Sequence, residues 1–87
     1  MDTFHFYQHD PAPFDLYAVK EDSYGRHVAL PTAVWLGTGQ GKDVAEAWND
    51  YRRKLFDYPI EDVVVDARLT AANNTWHFTY QLHEARQ

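Results

Sequence analysis

The chain has 87 residues, a net charge of −5 and no cysteine. That length holds one domain over residues 1–87 with a modest core, burying roughly 60% of the surface the unfolded chain exposes. The lack of cysteine excludes disulfide staples and thiolate metal sites. The acidic balance argues against direct binding to nucleic acid, which needs basic groups to neutralise phosphate.

Apolar residues make up 45% and aromatics 16% of the chain, a globular rather than a disordered composition. The start, MDTFHFYQHD, has neither the basic opening nor the apolar run of a signal peptide. No stretch approaches the roughly 18 consecutive apolar residues of a membrane span. A cytoplasmic, membrane-free protein is the expectation.

Thr3 to Gln8 reads as a strand, with Phe4 and Phe6 on one face and His5 and Tyr7 on the other. Asp10-Pro11-Ala12-Pro13 breaks it. Phe14 to Lys20 is a second strand, with Phe14, Leu16 and Ala18 on one face and Tyr17 and Val19 on the other. Glu21 to Gly25 is a turn, and a third strand is expected from Arg26 through Leu30, bent at Pro31 and continued by Ala33 to Leu36.

The spacing of Val44, Ala47, Trp48, Tyr51 and Leu55 predicts a helix over about Asp43 to Phe56, with Phe56 at the edge of its apolar stripe. Asp43 is suited to the N-cap, Glu46 completes a capping box, and Arg52, Arg53 and Lys54 match the C-terminal dipole. Asp57, Tyr58 and Pro59 should end it. Asp62 to Thr70 alternates as a strand, Ala71 to Asn74 is a hairpin loop, and Thr75 to His83 is a half-buried strand with Trp76, Phe78, Tyr80 and Leu82 on one face. The fold class is therefore α+β: a two-layer sandwich of one helix on a mainly antiparallel sheet of four to five strands.

Four sets of residues could carry function. Gly37, Gly39 and Gly41 before Lys42 could form a phosphate-cradling loop. Asp43, however, follows Lys42 where a P-loop has serine or threonine, and its charge would repel phosphate. A flexible crossover to the helix is the plainer reading.

The five histidines could bind a metal only as a cross-strand pair helped by Asp10 or Glu84. His77 and His83 lie ~20 Å apart along one strand, and His5 and His9 ~13 Å. No metal or cofactor is expected.

Catalysis has little to draw on. Ser23 is the one serine and has no glycine elbow, while Asp66 beside valines pairs most simply with Arg68. Tyr7, Tyr17, Trp35 and Tyr58 do not fit the inward pattern of their segments, and surplus surface aromatics suit a protein interface. The acids Asp15, Glu21, Asp22, Asp43, Glu46 and Asp50 could form an electronegative rim that steers a basic partner.

Several features from Asp15 to Leu55 resemble the HicB-like antitoxin domain. They are Tyr17-Ala18-Val19 ending a strand, the turn Glu21-Asp22 with Gly25, and Val28-Ala29-Leu30-Pro31. Gly41 then Asp43 before a helix, and Glu46-Ala47 early in it, complete the set. Thr32-Ala33-Val34 stands where the family usually has proline-glycine, and a strand before the match and a hairpin after it are extra.

The resemblance implies a partial ribonuclease-H-like fold without catalytic activity that neutralises a small basic RNA-cleaving toxin. In size and acidity, though not by motif, the chain is also similar to small phage anti-defence inhibitors, anti-CRISPR proteins among them. The expected function is a non-enzymatic, acidic, protein-binding inhibitor of a nucleic-acid-acting partner. Its expected contact residues are Tyr7, Tyr17, Asp22, Trp35, Asp43, Glu46, Asp50 and Tyr58. The alternative is a small ligand- or metal-binding domain using the Gly37–Lys42 loop or the histidines. If Thr75 to His83 lies at the sheet edge, a homodimer through that strand is one expected outcome, and cover by Thr3 to Gln8 is the other.

Overall fold

The computed structural model describes residues 1–9, 15–57 and 61–83. The elements are β1 (Asp2–Gln8), β2 (Leu16–Lys20), β3 (Val34–Gly41), α1 (Val44–Phe56), β4 (Glu61–Leu69) and β5 (Thr75–His83). The five strands form one antiparallel sheet in the order β3-β1-β2-β5-β4, with α1 laid across one face. This is the expected α+β class.

Alternation on β1 and β2 sends Phe4, Phe6, Leu16 and Ala18 inward, where Phe78 of β5 and Val44, Ala47 and Trp48 of the helix complete the core. The Trp48 ring meets Phe6 and Phe78 edge-on, at centroid separations of 5.1 and 5.3 Å. Asp43 caps the helix by accepting the Glu46 N–H at 2.9 Å. Glu46 reaches back to the Lys42 N–H at 3.1 Å. Asp57, in the left-handed region, ends the helix by donating its N–H to Arg53.

Leu55 does not share in the core. It is 57% exposed. Asp10 to Phe14, Tyr58 and Pro59 lie outside the described residues.

Three expectations about strands are corrected. The segment from Arg26 to Leu30 is not a strand. Because β1 sits between β2 and β3, residues 21–33 must cross it, and Val28 to Pro31 belong to that crossing loop.

The glycine series is not a loop. Gly37, Gly39 and Gly41 are alternate residues of β3 on the side facing α1. A β-carbon at Gly37 would stand 2.7 Å from the Tyr51 ring, and one at Gly41 would stand 2.7 Å from the Ala47 nitrogen. The helix backbone thus rests on bare strand backbone.

Finally, β5 is interior, paired with β2 and β4, so the open-edge argument for a dimer through it fails. The edges are β3 and β4. On β3 the Gln40 N–H is taken by Asp50 of the helix at 2.8 Å. On β4 the ladder is bulged between Val65 and Arg68, with Asp66 at φ 52.

The sequence offered no sign of how helix and β4 are joined. Asn49 donates to the Asp62 carbonyl at 3.0 Å and accepts the Asp62 N–H at 2.6 Å, so one side chain holds the start of the strand at both its polar groups. The Asp62 carboxylate is buried, accepts the Trp48 indole N–H at 2.8 Å, and lies 3.0 Å from the Arg52 Nε. The Arg52 guanidinium lies over the rings of Phe56, Tyr80 and Trp48.

Candidate interaction face

The sheet face turned away from the helix gathers the residues with chemistry. Strand register sets Trp35, Tyr7, Tyr17, His77 and Arg68 side by side in one row across all five strands. Three of the aromatics that break the inward pattern of their segments, Tyr7, Tyr17 and Trp35, therefore share one row.

Tyr7 is not a surface aromatic, however. It is 5% exposed, because His27 of the crossing loop lies over it and meets its hydroxyl at 2.7 Å. Trp35 stays 54% exposed and Tyr17 is half-buried. Tyr58 lies outside the described residues.

Beside the row sits a connected set of imidazoles and carboxylates. His5 stacks on His27, with ring centroids 3.6 Å apart and planes 10° from parallel. The His5 Nε2 is 2.6 Å from Glu21, and the Trp35 indole N–H donates to the His5 Nδ1 at 3.1 Å. An indole nitrogen only donates, so Nδ1 must be the bare nitrogen and Nε2 must carry the proton given to Glu21. His5 is neutral in this arrangement, with both nitrogens engaged.

Burial, with the neighbouring His5 adding to it, holds His27 below the usual imidazole pKa, while Glu21 works in the opposite direction. Farther along the row, His77 pairs with Asp15, and Tyr17 packs between His77 and His9 at 5.1 Å from each.

The expected acidic rim has local work to do. Asp22 accepts the N–H groups of Tyr24 and Arg26, closing the turn after β2. Asp43 and Glu46 cap the helix, and Asp50 binds both Gln40 and Lys54. Burial tends to raise the Asp50 pKa, but the Gln40 N–H, Lys54 and Arg53 outweigh it and hold the carboxyl below its ordinary value. These acids lie on the helix, its approach and the turn after β2 rather than on the aromatic row. The acids that adjoin the row are Glu21 and Asp15.

Asp15 and Glu21 belong to the expected acidic rim, whereas the expected contact residues do not include His5, His27 and His77, which come together only through the strand pairing and the crossing loop. Among the described residues, no group of three histidines or carboxylates could hold a metal ion. Asp66, with its side chain 73% exposed at the bulge, lies 3.9 Å from Arg68, an exposed pair of little energetic weight.

A separate groove of about 340 Å³ opens beside the helix N-terminus, between Phe4, Val44, Val64 and Trp76, with Lys20, Lys42, Asp2 and Asp43 also in its lining. No protein-family model, curated protein or solved structure matches the chain. No helix among the described residues is long and apolar enough to cross a membrane.

Proposed function

We propose that this chain is a non-enzymatic binding module whose outer sheet face, centred on Trp35 and Tyr17, docks against a basic protein that acts on nucleic acid and blocks it. The observation that carries this reading is the cross-sheet row from Trp35 to Arg68. It sets an exposed indole and a half-exposed phenol on a rigid support, beside the carboxylates of Glu21 and Asp15. Aromatic anchors on a preformed surface are what hot spots are made of, and nearby carboxylates favour approach by a basic surface. The net charge of −5 supports the same sign of partner.

The non-enzymatic part rests on the occupied groups. Both nitrogens of His5 are engaged, and Ser23, the one serine, sits in an exposed turn. Antitoxins of the HicB-like type and phage anti-defence inhibitors are the roles such a module would fill. A cytoplasmic location follows from either role.

The test is affinity capture from host cells with the wild-type chain and the Trp35→Ala and Tyr17→Ala variants in parallel. A basic partner retained by the wild type and lost from both variants supports the reading. A partner retained equally by all three baits refutes it.

A second reading is favoured by the groove at Lys42. Its apolar walls, with two lysines and two carboxylates among the lining, suit a small ligand with an apolar body and a polar end. The glycine series takes no part in it, since those residues lie under the helix.

A further inference from the structure

We infer that His5 is a proton-operated latch on Trp35: while neutral it holds the indole against the sheet edge, and on protonation it lets the indole go. The inference deepens the reading of the outer face as a docking surface, and it rests on that reading for its biological meaning, though not for its test.

The chemistry is fixed by which groups can donate. Trp35 has one polar hydrogen and no acceptor, and its Nε1–H meets the His5 Nδ1 at 3.1 Å. A proton added to His5 can only go to that nitrogen, because Nε2 already carries the one shared with Glu21 at 2.6 Å. Two N–H groups would then point at each other, and one ring must move.

The surroundings decide which. The imidazolium is held by the Glu21 carboxylate, so protonation strengthens its anchor on that side. Its other face is covered by the stacked His27 at 3.6 Å. Trp35, at 54% exposed on the edge strand β3, has solvent to move into.

The groups facing His5 are few. Glu21 comes from the end of β2, His27 from the crossing loop and Trp35 from β3, while the Cα neighbours Val19 and Thr38 carry no charge. Burial and His5 itself disfavour the charged form of His27. It remains on the Tyr7 hydroxyl at 2.7 Å and keeps the crossing loop seated. Acid therefore releases one aromatic anchor while leaving the fold closed, and partner affinity would fall with it.

The experiment needs no partner. Long-range nitrogen–proton NMR spectra of uniformly labelled protein, from about pH 8 down to about pH 5, report the tautomer of each histidine. The indole N–H signals of the three tryptophans are followed in the same samples, with Trp35→Phe assigning its own.

The expected result is His5 as the Nε2–H tautomer at high pH, with the Trp35 indole signal moving along the His5 titration. In Glu21→Gln, the His5 and Trp35 signals should still change together, because the indole meets Nδ1 and not the carboxylate. A His5 protonated on Nδ1 at high pH, or a Trp35 signal that stays fixed while His5 titrates, overturns the inference. If Glu21→Gln does not fold, the wild-type tautomer and titration decide alone. Failure of the partner-capture experiment would leave this result standing, so the two claims fall separately.

Discussion

Gly39 lies so close to Ala47 that a β-carbon there would stand 3.0 Å from the Ala47 carbonyl carbon and would collide with its oxygen. The neighbouring atoms are helix backbone and cannot swing aside, so the layers would have to part. Gly39→Ala should lower stability by at least about 3 kcal/mol, the upper end of ordinary overpacking, and unfold a domain this small. Gly25→Ala is the control. There the added carbon meets only Glu21 at 4.0 Å, and the cost is the positive φ of 75°, about 1 kcal/mol. Urea midpoints rank the two, and equal losses would show that the helix does not rest on β3.

Trp48 serves the core twice, through its ring and through the hydrogen bond from its indole to the buried Asp62. Trp48→Ala should cost about 3–5 kcal/mol. Trp48→Phe keeps most of the apolar contact but takes a donor from a buried carboxylate, and should still cost about 1–3 kcal/mol. A neutral Trp48→Phe in urea denaturation would mean that Asp62 does not depend on the indole.

Stability should fall in acid partly through His27. Burial and His5 lower its folded pKa, so the unfolded chain binds a proton more readily than the folded one. The associated stability is complete above the unfolded value of about 6.5 and is lost as the pH drops from there through the lowered folded value. The urea midpoint should decline as the pH falls below about 6.5, and His27→Gln should decline less. An identical decline in both would assign the acid sensitivity to other groups.

Thr79 lies in the interior strand β5, opposite Val65 of β4 and next to Phe78, where the ladder with β2 ends. Thr79→Pro should therefore unfold the chain, visible as lost far-ultraviolet ellipticity, because an interior strand does not tolerate proline. A folded Thr79→Pro variant that changed only from dimer to monomer in sedimentation would return β5 to an edge.

The layer architecture was legible because it depends on local periodicity. Phe4, Phe6, Leu16, Ala18 and Phe78 alternate along their strands, and Val44, Ala47 and Trp48 follow the helical repeat. The Asp43 cap was equally local. Register was not legible, and the outer face depends on it. No pattern within β1 says that Tyr7 stands beside Trp35 on one side and Tyr17 on the other.

The glycines of β3 misled for a related reason. Their small size answers a helix that packs on them from across the fold, and along the sequence this looks like a loop. His27 lies in a segment whose apolar residues suggest a strand, yet its place over Tyr7 comes from the crossing over β1.

The claim that the outer face is the docking surface is tested most directly by calorimetric affinity of the captured partner for three purified chains. These are the wild type, Trp35→Ala, and Lys54→Ala on the helix side. Trp35→Ala should weaken binding by about 30-fold or more, as loss of a hot-spot anchor worth about 2 kcal/mol requires. Lys54→Ala should bind like the wild type. Unchanged affinity in Trp35→Ala, with the loss appearing in Lys54→Ala, would place the interface on the helix and contradict the account.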